Sequence, residues 1–160
     1  MSVLFGTRWF SARPTEDAAR LEAVDEMYEV YRRAFAAVPE VRAEELKQRL
    51  EEGQRVVLVD VRGAEERAVS MLPGALSVEE YEAAAAPGDA VVVYCTIGAR
   101  SGNYALELME RGVDVENLVG SVLAWTHVGG ELVGEGGATK RVHVYGAQWD
   151  LAANGYEAVW

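Results

Sequence analysis

One cysteine, Cys95, stands at the end of a short apolar run, Val91-Val92-Val93-Tyr94, and is followed by Thr96-Ile97-Gly98-Ala99-Arg100-Ser101. The residues before it are β-branched and aromatic, as a buried strand prefers. Those after Ser101 turn helical, with Ala105, Leu106, Leu108 and Met109 on the apolar positions and Gly112 as the stop. The spacing therefore puts Cys95 where a strand's carboxyl end meets a helix's amino end. In an open parallel sheet, ligands bind at that edge. The first amides of the helix have no helical acceptor and can turn toward an anion. Gly98 keeps the loop backbone free of side-chain bulk, and Arg100 offers a planar fork of donors to an oxyanion. A cysteine so placed has its thiolate favoured, and the thiolate is the nucleophile. The alternative is a buried small hydrophobe, which lone cysteines often are.

The rest of the chain must build the edge on which this loop sits. Val56-Val57-Leu58-Val59 is a near-continuous apolar run, as in a strand buried on both faces, and it ends in Asp60-Val61-Arg62. A short acidic helix or turn, Gly63 to Val69, holds Glu65 and Glu66. Ala75-Leu76-Ser77 reads as a brief strand. Ser77 with Glu80 forms a capping box for a helix over Val78 to Ala86. Val113 to Val119 is a further strand that Asn117 interrupts, and Gly120 to Val128 a last helix. Val41 to Leu50 supplies a helix before the first strand. Alternating strands and helices predict a parallel sheet covered on both sides.

Outside this unit, 1–40 forms an N-terminal arm and amphipathic helix. Phe5, Trp9 and Phe10 lie in the arm; Thr15 is its expected N-cap. Leu21, Val24, Tyr28, Tyr31 and Phe35 mark one face, expected to cover the neighbouring domain rather than dock a partner. Residues 134–160 form a C-terminal extension. Its Gly134, Gly136 and Gly137 read as a flexible joint and Lys140 to Tyr145 as an edge strand or arm. Trp149, Leu151, Tyr156 and Trp160 are too apolar for a disordered tail, so it should fold back or meet a second subunit of a homodimer.

The 26 acidic against 15 basic residues, a formal charge of −11, argue against a nucleic-acid surface. One cysteine excludes an internal disulfide, and two distant histidines give no metal signature, so no metal or cofactor is expected. No apolar run spans a bilayer and no leader is seen, which makes the cytoplasm the expected location.

Five landmarks then occur in order. They are Leu58-Val59-Asp60-Val61-Arg62 with Glu66, Leu72-Pro73-Gly74-Ala75, Tyr94-Cys95 with Gly98, Arg100 and Ser101, and Val119-Gly120-Ser121 through Trp125, then Gly129-Gly130. Over 41–133 the chain resembles the rhodanese-like domain family. The resemblance implies an α/β fold with an open, mostly parallel sheet and helices on both faces. It implies a sulfurtransferase that moves a sulfane sulfur from thiosulfate or a persulfide to a thiol, a protein or cyanide through a persulfide on Cys95. Cys95 and Arg100 would be catalytic, and Thr96, Ile97, Gly98, Ala99 and Ser101 the loop around the substrate. Asp60, Arg62 and Glu66 would support it: Asp60 by bonding the loop or pairing with Arg100, or as a simple cap, and Arg62 by pairing with Glu66. Ser101 could donate to the sulfur or cap the helix, and capping is the expectation. Related phosphatases and arsenate reductases carry one more residue between Cys and Arg, so the C-x4-R spacing favours sulfur over phosphate. Met71 stands where the family often has histidine. Thr96 and Ile97 are uncharged where thiosulfate-using loops often place a second cation, which points to a persulfide or protein donor. The competing reading is a non-catalytic binding module whose terminal aromatic segments hold a partner.

Overall fold

The computed structural model describes residues 12–160; the expected aromatic arm with Phe5, Trp9 and Phe10 lies outside them. The chain opens with helix α1 (Asp17–Tyr31) and a 3-10 turn (Arg32–Phe35). Then come β1 (Glu40–Val41), α2 (Ala43–Glu51), β2 (Val57–Asp60), α3 (Ala64–Val69), β3 (Leu76–Ser77), α4 (Val78–Ala84), β4 (Ala90–Tyr94), α5 (Ala99–Glu110), β5 (Asp114–Leu118) and α6 (Ser121–His127). The C-terminal part adds β6 (Leu132–Gly134), β7 (Gly137–Thr139), β8 (Arg141–His143), a 3-10 turn (Ala147–Trp149) and β9 (Glu157–Val159).

Five strands form one sheet in the order β1-β5-β4-β2-β3, and every pairing in it is parallel. Strand β4 shows why the sheet needs cover on both sides. Its side chains alternate with period two, Val91 and Val93 entering one apolar cluster and Val92 and Tyr94 the other. Leu108 of α5 and Tyr81 of α4 belong to the first, Leu46 of α2 and Val122 of α6 to the second. Ser77 and Glu80 make the expected capping box at α4.

Several local expectations change. The helical run starts at Asp17 after Glu16, and Thr15 does not cap it. Val41 is a strand residue rather than the start of α2, because it pairs with Leu118 at the sheet edge. Asn117 does not interrupt β5: it is fully buried within it and bonded. The expected flexible joint at Gly134 to Gly137 is the two-residue turn of an ordered hairpin, with Gly137 at φ +105°.

The extension after Val133 is woven into the domain. Val142, Val144, Leu151 and Ala152 are buried in the same cluster as Leu58 and Val122. Strand β8 pairs with β9 in parallel. Buried Arg20 of α1 clasps the tail, donating to the Ala152 carbonyl (3.1 Å) and Asn154 Oδ1 (2.8 Å). Thus α1 and the tail form one layer beside the carboxyl edge of the sheet.

Candidate active site

Strand β4 ends at Tyr94, and the chain turns through Cys95–Gly98 into α5. The turn is forced by hydrogen bonds from α6. The Val122 and Leu123 amides donate to the carbonyls of Cys95 (3.1 Å) and Thr96 (3.2 Å). That aims these carbonyls at α6 and leaves the loop's amides facing the other way. The Gly98 amide donates to Cys95 Sγ at 3.2 Å. Among the described residues nothing accepts a hydrogen bond from the amides of Ile97, Ala99 or Arg100. They are the open donors of a helix start.

Gly98 is the α5 N-cap at φ +112°, in the region that favours glycine. A Cβ there would lie 2.7 Å from Cε2 of Tyr28 on α1. The same helix presses on Gly120, where a Cβ would meet Val24 at 2.7 Å. Next to it, Ser121 holds φ +46° without being glycine. Its hydroxyl accepts from the Cys95 amide (3.1 Å) and donates to the Leu118 carbonyl (3.1 Å), which offsets the backbone strain.

Ser101 does not cap α5. It is buried, its Oγ 3.4 Å from Cys95 Sγ and 2.7 Å from Asn117 Oδ1. Its single hydrogen serves one acceptor at a time, and the shorter bond goes to Asn117. Asn117 also donates to the Gly98 carbonyl (3.0 Å) and to the Tyr28 hydroxyl (3.3 Å). An asparagine in an otherwise apolar strand is the sequence signal for this role.

The supporting carboxylates pair differently from the sequence expectation. Asp60 neither bonds the Cys95 loop nor meets Arg100; its Oδ1 caps its own loop, accepting from the Arg62 amide at 3.0 Å, and the carboxylate does more besides. It takes a fork from Arg62, Nε at 2.9 Å and Nη2 at 2.7 Å, and a bond from the Tyr94 hydroxyl at 2.7 Å. Burial alone would lower the Arg62 pKa, but the Asp60 pairing outweighs it and raises it. Burial, then the Asp60 charge, holds the Tyr94 phenol neutral far above its usual range. Arg62 therefore does not pair with Glu66, since Asp60 two residues back already holds its fork.

Glu66 instead takes both arms of Arg100: Nη1 to Oε2 at 2.8 Å and Nη2 to Oε1 at 2.9 Å. It also accepts from the Gly63 amide at 2.8 Å. Burial pushes its pKa up, but the Arg100 and Gly63 hydrogen bonds prevail and hold it at about 2. Arg100 Nη2 further reaches Thr96 Oγ1 at 3.2 Å. The guanidinium is thus tied to an ionised carboxylate, and the Glu66 hydrogen bonds first, then the Cys95 charge, raise its pKa against the effect of burial.

Cys95 itself is 1% exposed, and Thr96, Ile97 and Gly98 are buried with it, while Ala99 and Arg100 are partly exposed. Tyr31 of α1 lies within electrostatic reach: burial, and second the Cys95 charge, raise its phenol pKa. An open cleft of about 460 Å³ borders Glu66 and is lined by Glu65, His143, Tyr145 and Trp160. Among the described residues no three His, Cys, Asp or Glu side chains gather as a metal site, and no helix is long and apolar enough to cross a membrane.

The arrangement can hold a sulfur-centred anion at the head of α5 and stabilise charge there by fixed amides. Comparison with known proteins agrees in kind. The family described as Rhodanese-like domain matches residues 42–127. A protein named Sulfurtransferase from Allochromatium vinosum is 39% identical over 98 residues, covering 58% of this chain and 92% of the relative. A Bacillus subtilis relative is 31% identical over 94 residues, 55% of this chain and 90% of its own. Among solved structures, the thiosulfate sulfurtransferase of Pseudomonas aeruginosa superposes with a TM-score of 0.58 at 27% identity. That match takes in 69% of this chain but only 23% of the larger protein. A rhodanese-like domain protein from Staphylococcus aureus gives 0.51 at 28%, over 55% of this chain and 91% of its own.

Proposed function

We propose that this chain, which belongs to the rhodanese-like domain family, is a rhodanese-type enzyme that transfers a sulfane sulfur through a persulfide on Cys95, a reading its sulfurtransferase relatives support. The observation that carries the reading is the Gly98 amide on Cys95 Sγ at 3.2 Å, with the Ile97, Ala99 and Arg100 amides open beside it. The Cys95 thiolate attacks the outer sulfur of the donor. The donor's sulfur–sulfur bond breaks and its electron pair leaves with the remainder, sulfite when the donor is thiosulfate. The negative terminal sulfur of the persulfide rests among the loop amides, which are preorganised for it. A thiol, protein or cyanide acceptor then removes that sulfur, giving two half-reactions and ping-pong kinetics. The C-x4-R loop suits a sulfur atom better than a tetrahedral phosphate.

Arg100 serves in this reading as a brace. Tied to Glu66 and Thr96, it fixes the far end of the loop and lends its amide, while its charge is answered locally. The non-catalytic reading draws on one observation, the near-complete burial of Cys95. Intact-mass measurement after incubation with thiosulfate and with an organic persulfide decides between the two. The enzyme gains the mass of one sulfur atom and Cys95→Ser does not. Absence of the adduct with every donor, in protein whose Cys95 reacts with a small alkylating agent, refutes the proposal.

A further inference from the structure

Among the described residues, two groups hydrogen-bond Cys95 Sγ: the Gly98 amide at 3.2 Å and the Ser101 hydroxyl at 3.4 Å. The backbone fixes the amide hydrogen. The hydroxyl turns about its C–O bond, and its one hydrogen has a second acceptor in reach, Asn117 Oδ1 at 2.7 Å. Ser101 and Asn117 are fully buried and Cys95 nearly so, which shields that hydrogen from bulk water.

Asn117 is held with its oxygen toward Ser101. Its Nδ2 donates to the Gly98 carbonyl (3.0 Å) and to the Tyr28 hydroxyl (3.3 Å). An amide has two such hydrogens and both are placed, so the atom left for Ser101 is the acceptor. Tyr28 accepts because its own hydrogen goes to Glu40; burial, then that bond, keeps the phenol neutral. Arg32 Nη2 anchors Glu40 in turn at 2.8 Å. This chain of bonds starts at the sulfur and, at Tyr28, passes outside the residues matched by the family.

The charge on Sγ changes twice in a turnover. Sγ is a thiolate when it attacks the donor and a neutral sulfur in the persulfide. It becomes a thiolate again, as the leaving group, when the acceptor takes the outer sulfur. A hydroxyl bonds an anion far more strongly than a neutral sulfur. Beside a neutral Sγ the hydrogen therefore stays on Asn117, and beside an anionic one it turns to the sulfur.

We infer that Ser101 is a further catalytic residue, whose hydrogen bond swings from Asn117 Oδ1 to Cys95 Sγ as the persulfide bond breaks. This rests on the Cys95 persulfide reading above and deepens it. The acceptor, cyanide in the assay, bonds to the outer sulfur. The bond from that sulfur to Sγ breaks, and its electron pair stays on Sγ. Ser101 keeps its proton throughout; only the direction of its hydrogen bond changes. Asn117 and Tyr28 are positioning residues that hold the hydroxyl within reach of both acceptors.

The test times the two half-reactions separately, in single turnovers at a pH where the alkylation rate of Cys95 has reached its plateau. Uptake is read as sulfite released from thiosulfate, and release as thiocyanate formed when loaded protein meets cyanide. In Ser101→Ala release slows about tenfold, as loss of a hydrogen bond to an anion provides. Uptake is no slower, because the attacking thiolate loses a bond that held it back. Ser101→Thr, which keeps the hydroxyl, restores the ratio of release to uptake. Tyr28→Phe removes an acceptor from the same buried network without touching the sulfur and leaves that ratio as in the wild type. Equal slowing of both half-reactions in Ser101→Ala, as a purely structural role would give, overturns the inference while Cys95 still gains sulfur. Alanine suits a helix and adds no bulk, and a thermal melt checks that the variant folds. A measurement on the wild type stands beside the variants. The Asn117 side-chain amide signals, followed by NMR, move between the thiolate and persulfide forms as the Ser101 hydrogen leaves and returns; signals that stay in place overturn the inference as well. If no donor loads Cys95, the persulfide reading itself falls, and this one with it.

Discussion

Replacing Glu66 by glutamine separates the two things this carboxylate does. It accepts both arms of Arg100 and the Gly63 amide, and its pKa is held at about 2 against an ordinary 4.5. By linkage that difference is worth up to about 3 kcal/mol at neutral pH. The Arg100 side chain is 36% exposed, so solvent screening reduces the figure to about 2 kcal/mol. For a domain of this size the variant should melt about 4–8 °C below the wild type. The same change removes a negative charge from the sulfur site and leaves the Arg100 charge unanswered. A single charge pair near 4 Å is worth about 1 kcal/mol in bulk water and about 4 kcal/mol near a protein surface. Even the lower figure, doubled for a dianion, predicts a KM for thiosulfate at least about tenfold lower in Glu66→Gln. The assay is steady-state thiocyanate formation at fixed cyanide, paired with a thermal melt monitored by circular dichroism. A folded variant with the expected loss of stability but an unchanged or raised thiosulfate KM would refute the claim that Glu66 neutralises Arg100 toward the donor.

The other predictions concern the frame. Gly98→Ala, whose Cβ would lie 2.7 Å from Tyr28 at a φ of +112°, should cost about 3 kcal/mol from overpacking and backbone strain together; a melting temperature within about 2 °C of the wild type would contradict it. Tyr94→Phe leaves the Leu72 amide and Asp60 each short of a partner and should destabilise by about 1–3 kcal/mol, read from urea unfolding. Because the Glu66 pKa is lowered on folding, its contribution is complete above about pH 4.5 and lost as pH falls toward 2; melting temperature should drop over that window, and less steeply in Glu66→Gln. Truncation after Val133 removes Val142, Val144 and Leu151 from the core, several kcal/mol of burial at about 1.5–3 kcal/mol per side chain, so an unchanged melt would show that the tail is not structural.

What could be read from the sequence was what local pattern dictates. The apolar runs at Val57–Val59 and Val91–Val93, short, rich in β-branched residues and bounded by turns, fit strands buried on both faces. The Gly98 turn after Cys95 followed from strand, glycine and helix in succession. The charged groups were visible as types but not as pairs. Arg62 and Glu66 are four residues apart, yet Arg62 turns to Asp60 and Glu66 crosses 34 residues to Arg100. Which carboxylate meets which guanidinium depends on where β2 and β4 end relative to one another in the sheet, a register that spacing along the chain does not encode. Asn117 was misread for a related reason. A polar residue in a strand looks like a break until the loop that needs its amide is folded against it.

The aromatic residues of the termini show the same limit from the other side. In the sequence Tyr31 reads as part of a covering helix face, Tyr145 as the end of an edge strand or arm and Trp149 as part of a tail that folds back or meets a second subunit, because nothing near them carries chemistry. They come together because Arg20 ties α1 to the tail through Ala152 and Asn154, which brings Trp149 against Tyr31 and Tyr145. The loop is built from residues the family match covers, and its amides suit any sulfur anion. Tyr31, Tyr145 and Trp149 come from outside that match, whereas Arg100 and the Glu66 that holds it lie within it. The loop and its brace are therefore what the family pattern specifies, and α1 with the tail is what this chain packs around them.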